Sequence, residues 1–228
     1  MSEHPSTRAD RRASRLAWTA AAVSFAIFVG ALGVWALEPG TGCDGGTAEF
    51  ARIERVRSDA MVPTFLHGDL VFMQRRYYCR VEPKRGDLAM LAPPQGDTRP
   101  RILRIVAIPG DQVELSRGQL LLNGAPVERD WLESSITDES GEPRHASRFT
   151  EELPDGPRYE MQVGELDGAA ETMAAQTVPP DHYFVLGDNR DAAADSRSFG
   201  TLARSQIVDR PLIILWGESW DRVGIRLP

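Results

Sequence analysis

An uncharged run of about 22 residues, Leu16 to Leu37, constrains this chain more than any other feature of its sequence. A helix rises about 1.5 Å per residue, so a run of this length crosses a hydrocarbon core of about 30 Å. A cleaved secretory signal has a shorter apolar core and a small-residue cleavage site, whereas Glu38 and Pro39 follow this run. The sequence therefore predicts a retained transmembrane helix over residues 16–37.

The charges before this run predict its orientation. Four arginines stand there against Glu3 and Asp10: Arg8, Arg11, Arg12 and Arg15. Because basic flanks stay in the cytoplasm, we expect residues 1–15 to form a cytoplasmic tail at the plasma (inner) membrane. A linker over 38–50 would then lead to an extracytoplasmic domain over 51–228.

The rest of the composition excludes some classes of protein. A formal net charge of −7 with scattered arginines argues against a nucleic-acid partner, and no glycine-rich loop suits a phosphate. Two cysteines do not make a zinc site, so we predict no metal and no cofactor. Cys43 and Cys79 both fall in the outward part, where either a disulfide or two free thiols is compatible with the sequence.

Short strand-like runs separated by turns follow Ala51 and predict a mainly β, antiparallel domain. Such runs begin at Asp69 and Asp87, the run at 101–108 ends in Pro109-Gly110-Asp111, and 111–127 suggests two strands with an Asn123-Gly124 turn. Residues from about 128 to 175 are acidic and polar. They predict an inserted subdomain whose charges form a solvated face.

Four sequence blocks, in this order, resemble the bacterial type I signal peptidases, the membrane-anchored serine peptidases that remove signal peptides from exported proteins. The blocks are SDAMVPTFLHGD (58–69), KRGDLAML (84–91), RILRIVAIPGDQVEL (101–115) and YFVLGDNRDAAADSRSFG (183–200). The resemblance implies a β-sheet peptidase domain beside a membrane anchor, with signal peptides or exported pre-proteins as partners.

The positions that carry the chemistry in this family differ here. The resemblance places the nucleophilic serine at Ala60, the general-base lysine at Leu103 and the serine that orients the lysine at Ala193. The other matching positions keep the family's residue types and are expected to form the framework or bind peptide: Ser58, Met61, Pro63, Arg104, Asp188, Asn189, Arg190, Asp195 and Arg197. The rim around Met61 and Pro63 is either exposed to bind lipid or peptide, or buried.

Few other residues offer substitute chemistry. Lys84 is the single lysine beside 25 arginines, and arginine does not act as a base at ordinary pH. A rewired site would pair Ser58 with His67 or His182. The acids of the last block lack the calcium-loop pattern, and we expect Asp188 and Asp195 to pair with the arginines two residues further on, Arg190 and Arg197.

The sequence thus predicts a single-pass membrane protein with a signal-peptidase-like fold and a disabled site that binds signal peptides or membrane partners. One alternative is an active peptidase that uses unorthodox residues such as Ser58. Another is a structural envelope protein without substrate binding. The oligomeric state is not predicted.

Overall fold

A computed structural model describes residues 51–92, 101–137, 143–164 and 172–227. The predicted tail, membrane helix and linker, residues 1–50, lie outside these ranges. None of the helices in the described ranges has the length and apolar character needed to cross a membrane.

An antiparallel sheet of seven strands carries the site, in the order β1-β2-β14-β3-β4-β12-β13. Its strands are β1 (Ala51–Arg55), β2 (Leu70–Gln74), β3 (Leu88–Leu91), β4 (Arg101–Ala107), β12 (His182–Leu186), β13 (Leu202–Ala203) and β14 (Ile207–Trp216). The strand β4 lies inside the sheet, with Leu103 opposite Ala89 of β3 and Arg104 opposite Leu186 of β12.

A second sheet of four strands, in the order β11-β5-β6-β7, is built by tight hairpins. Its strands are β5 (Gln112–Ser116), β6 (Gln119–Leu122), β7 (Ala125–Pro126) and β11 (Met173–Thr177). Asn123 and Gly124 have φ of 52° and 81°, the conformation that two-residue hairpins require. The predicted Asn-Gly turn is present, and it leads into the additional short strand β7.

A third sheet, in the order β10-β9-β8, occupies most of the segment predicted as an insertion. Its strands are β8 (Glu128–Thr137), β9 (Pro143–Glu152) and β10 (Arg158–Gly164). Most described acids of this segment are exposed, but Glu151 is completely buried. The prediction of a uniformly solvated acidic face is therefore wrong at Glu151, because two distant arginines pair with its carboxylate.

Two apolar clusters form the core, and β4 and β12 contribute to both. Leu103 and Ile105 belong to one cluster, whereas Val106 belongs to the other. Successive strand residues point to opposite faces, so a continuous apolar strand fills both clusters. The predicted mainly β, antiparallel class is confirmed by these sheets.

Helical structure is limited, in the described ranges, to α1 (Ser196–Phe199) and three short 3₁₀ turns, at Tyr77–Cys79, Arg204–Gln206 and Trp220–Arg222. The strand-like run that begins at Asp69 ends at Gln74, since Arg76 takes a φ of 53° and turns the chain. That turn buries Tyr78, whose hydroxyl donates to the Leu88 carbonyl at 3.0 Å. Cys79 is disulfide-bonded, and Cys43, the other cysteine of the sequence, lies outside the described residues.

Candidate active-site groove

A groove of about 430 Å³ lies between the end of β1, with the residues that follow it, and the first residues of β4. Residues 55–58 line one side and 101–103 line the other, and the alanines Ala60, Ala192 and Ala194 also face it. The fold therefore brings residues from all four sequence blocks to one concave surface, since Met90 of the second block also lines it.

The three positions that the resemblance assigns to the nucleophile, the base and the lysine-orienting serine lie in or directly beside this groove: Ala60, Leu103 and Ala193. Leu103 is 1% exposed and packs in the apolar cluster against which Ala60 also packs. A methyl group added at Gly187 would come within 2.2 Å of the Ala193 Cβ and 2.5 Å of the Ala60 carbonyl oxygen. Ala60 and Ala193 thus both closely approach Gly187, and the position between them is filled by backbone.

Ser58 is exposed and lines the groove, but its hydroxyl makes no hydrogen bond to any described residue. The exposed His67 lies beside Asp59, with 3.9 Å between Nδ1 and Oδ1. The other candidate base, His182, has its Nδ1 at 2.9 Å from the Pro180 carbonyl oxygen. Neither histidine is positioned to take a proton from Ser58.

The rim residues that the sequence left open are divided between core and surface. Met61 and Phe65 are buried at 2% and 0% exposure, whereas Val62, Pro63 and Leu66 are half-buried. Only three of these five side chains therefore contribute to the surface.

Below the groove, Arg104 and Asp188 form a buried, two-pronged ion pair. Arg104 Nε donates to Asp188 Oδ1 at 2.8 Å and Nη2 donates to Oδ2 at 2.7 Å, with both side chains 1% exposed. Thr64 Oγ1 donates to the same carboxylate at 2.5 Å, and Arg104 Nη1 donates to the Gly86 carbonyl. Burial works against the arginine charge, but Asp188 outweighs it and raises the pKa of Arg104.

Arg190 pairs with Glu151 and not with Asp188, so the expected Asp188 to Arg190 pair is wrong. The Arg190 guanidinium contacts Glu151, which also accepts from Arg129 Nη2 at 2.8 Å and from the Tyr159 hydroxyl at 2.7 Å. Burial opposes the Glu151 charge, but Arg190 and Arg129 hold the pKa of this carboxyl below its ordinary value. Asp188 is already occupied by Arg104, a partner from a distant strand that local spacing does not reveal.

Asp195 and Arg197 form the pair that the sequence predicted. Arg197 Nε and Nη2 each donate to the carboxylate at 2.8 Å. The same carboxylate accepts from the Gly187 and Arg197 backbone amides at 3.0 and 3.1 Å, and so caps α1. Asp195 therefore ties the end of β12 to the helix that follows the loop.

These pairs are connected to each other. The Arg104 guanidinium stacks 4.0 Å from the Tyr159 ring centroid, Tyr159 bonds to Glu151, and Arg197 donates to the Arg190 carbonyl. We call the connected set the ion-pair network, and its members are Arg104, Asp188, Arg129, Glu151, Tyr159, Arg190, Asp195 and Arg197.

Comparison with known proteins assigns the family. The family model described as "Signal peptidase, peptidase S26" matches residues 47–216, which is more than half of the chain. The chain belongs to the signal peptidase S26 family. The family resemblance seen in the four sequence blocks is confirmed.

Individual members of the signal peptidase family resemble the chain at low identity. A signal peptidase I from Leptolyngbya laminosa is 24% identical over 173 residues, covering 73% of this chain and 69% of that protein. One from Rickettsia canadensis is 32% identical over 133 residues, covering 56% of this chain and 48% of its own length. The structure of a signal peptidase I from Enterococcus faecalis aligns at 23% identity and a TM-score of 0.32, covering 56% of this chain and 94% of that one.

Several members of the site in this signal peptidase family protein were not found by sequence reasoning. Thr64 lies in the first sequence block directly after Pro63, and that position is the only sequence signal for it. Glu151 and Tyr159 gave no signal, because they come from the acidic segment and reach the site only through β9 and β10. In the described ranges, no three acidic, histidine or cysteine side chains form a group able to hold a metal ion.

Proposed function

We propose that this signal peptidase family protein is a catalytically inactive, membrane-anchored member that binds signal-peptide segments in its groove. The observation that carries the proposal is the apolar chemistry at Ala60 and Leu103, the two positions that the resemblance assigns to nucleophile and base.

The chemical argument concerns proton transfer. A serine hydroxyl attacks a carbonyl when a nearby base takes its proton, and a lysine becomes such a base when burial lowers its pKa. Ala60 and Leu103 carry alkyl groups that neither give nor take a proton. The single lysine of the chain, Lys84, is exposed and lies outside the groove lining.

The backbone of the groove supports peptide binding. The Ile105 amide donates to the Asp87 carbonyl, and the Ile105 carbonyl accepts from the Gly86 amide, so both backbone groups of Ile105 point toward β3. Because these groups alternate along a strand, the amide and carbonyl of Ile102 point to the opposite side of β4, the side of β12. On that side β12 pairs with β4 only as far as Arg104. Within the part of the chain that the structure describes, no strand pairs with this edge of β4 at the groove, and such an edge accepts an extended peptide as an added strand.

The open groove also bears on the alternatives. A structural envelope protein without substrate has no need of a concave surface of about 430 Å³. An active peptidase that uses Ser58 is favoured by the exposure of that hydroxyl in the groove, but it lacks a base in contact. We therefore retain the Ser58 enzyme as the second candidate function.

Cleavage by purified full-length protein in detergent tests the inactive state. Incubated with a pre-protein that carries a signal peptide, the protein is expected to produce no cleavage above a protein-free blank, and Ser58→Ala is expected to behave identically. Appreciable cleavage that Ser58→Ala abolishes would establish the second candidate instead.

Binding is tested on the same preparation with a dye-labelled signal peptide and fluorescence anisotropy. Ala194→Trp fills the groove and is expected to weaken binding at least about tenfold. Ala174→Trp is the matched control, since Ala174 is an exposed alanine on β11 of another sheet. Equal affinity of the two variants would remove the groove as the binding site.

We further propose that residues 16–37 anchor the protein with residues 1–15 in the cytoplasm. Protease added to sealed right-side-out membranes is expected to digest the domain after Glu38 and spare a tag before Leu16. Complete protection of the C-terminal domain would overturn this orientation.

A further inference from the structure

The charge of the groove lining differs from that of the chain. The lining contains three arginines, Arg55, Arg57 and Arg101, and one acid, Glu54, whereas the whole chain carries a formal charge of −7. Glu54 also has a cation beside it, since its carboxylate lies 3.9 Å from Arg52 Nε. The groove is therefore a basic site on an acidic protein.

Arg55 and Arg57 are the arginines best placed to meet a ligand. Both are exposed, neither forms an ion pair with a described residue, and Val56 between them is buried at 7% exposure. This exposed, buried, exposed pattern is that of extended backbone, in which alternate side chains lie on one side. Hydrogen bonds from Val56 N to Asp69 O and from Gly68 N to Val56 O continue the β1 pairing to this point.

We propose that the groove selects extended peptide segments that carry two acidic side chains separated by one residue. A peptide that lies as a strand along residues 55–58 presents alternate side chains to Arg55 and Arg57 at the same two-residue spacing. Carboxylates at those positions meet both guanidinium groups, and small apolar side chains face the alanines of the groove. The inference rests on the proposed peptide-binding function and names the class of peptide.

A peptide fits these features better than an anionic lipid headgroup does. The walls of the groove are extended backbone, and the edge of β4 at Ile102 offers a donor and an acceptor that a peptide backbone matches. A headgroup would use the arginines and leave the strand edge without a partner.

The test uses full-length protein in uncharged detergent and three dye-labelled peptides of alanine, threonine and leucine. The peptides differ at two positions separated by one residue, which are both glutamate, both glutamine or both lysine. The glutamate peptide would form two exposed ion pairs with Arg55 and Arg57, so it should bind about three- to tenfold more tightly than the glutamine peptide. The lysine peptide should bind least tightly. The preference should shrink between about 0.1 M and about 1 M salt, where the screening length falls from about 10 Å to about 3 Å.

Charge-reversal variants locate the preference. Arg57→Glu is expected to abolish or invert the preference for the glutamate peptide over the glutamine peptide. Arg117→Glu makes the same change of charge at an exposed arginine in the β5 to β6 turn, and it should retain the preference.

The outcomes separate this inference from the proposed function. Equal binding of all three peptides, lost in Ala194→Trp, would overturn the acidic preference and leave groove binding intact. Absence of binding by every peptide would overturn both. A preference for the glutamate peptide that Arg57→Glu does not alter would place the preference at another site. Sedimentation with phosphatidylglycerol vesicles that depends on Arg57, without any peptide preference, would identify a lipid as the ligand. Either result would overturn the inference.

Discussion

The groove and the ion-pair network beneath it are adjacent, but substitution affects them very differently. The groove carries alkyl side chains at Ala60 and Leu103 where the resemblance implies reacting groups, whereas Arg104 and Asp188 remain paired with 1% of each side chain exposed. An alkyl group in an apolar setting leaves no polar atom unsatisfied. Removal of one partner from a buried pair leaves an uncompensated charge, which costs about 3–5 kcal/mol. Selection for a stable fold is therefore enough to retain the ion-pair network, whereas only selection for function would retain reacting groups in the groove.

The largest expected effect is a gain of cleavage when a serine and a lysine are introduced together at the positions that the resemblance assigns to nucleophile and base. Ala60→Ser with Leu103→Lys should raise pre-protein cleavage by about 10³- to 10⁶-fold over either single variant, because each group is idle without the other. Burial at position 103 lowers the pKa of an introduced lysine, so the rate should rise with pH through that pKa. Cleavage is followed by gel electrophoresis, and Ala193→Ser should improve the double variant further.

Equal inactivity of the double variant and the singles, in protein that still binds signal peptide, would contradict this expectation. It would mean that the shape of the groove does not support cleavage even with both groups present, and the contrast between the two regions would weaken.

Next in size is the loss of stability when the network is broken. Asp188→Asn should lower the free energy of unfolding by about 3 kcal/mol or more, because Arg104 would stay buried without a countercharge. The matched control is Asp155→Asn. The Asp155 side chain is 95% exposed, so this substitution should leave Tm unchanged. Similar Tm values for the two variants in thermal denaturation would refute a stabilising role for the pair.

A smaller effect is expected at Gly187, where the two regions meet. Gly187→Ala places a methyl group 2.2 Å from the Ala193 Cβ and 2.5 Å from the Ala60 carbonyl oxygen, and should destabilise by about 1–3 kcal/mol. Adding Ala193→Gly removes one of these clashes and should recover part of the loss. The measurement is chemical denaturation of all three proteins, and the absence of any recovery would place the strain elsewhere.

The smallest effect is a pH dependence centred on Glu151. Since its folded pKa lies below the ordinary 4.5, its contribution is present above that pH and is lost as pH falls through the lowered value. The Tm difference between the unmodified protein and Glu151→Gln should therefore be constant near neutrality and shrink below about pH 4.5. A difference that grows on acidification would reverse the sign assigned here.

The sequence pattern correctly predicted those features that are formed by residues close together in the chain. The Asn123-Gly124 turn, the β4 strand and the Asp195 to Arg197 pair depend on residues close together in sequence, and each is present. The partners of Asp188 and Arg190 come from β4 and β9, so a two-residue spacing suggested the wrong pair. The burial of Glu151 was missed for the same reason, since an acidic composition does not reveal long-range arginines.

The alternation of β4 has an evolutionary consequence. Leu103 packs in the apolar cluster beside the groove while its neighbour Arg104 pairs with Asp188, so one face of the strand lines the groove and the other holds the ion pair. Mutations can then drift on the first face without being removed by selection for a folded chain. A chain with this arrangement can therefore change the residues that face the groove, and so its ligands, while the ion-pair network keeps it folded.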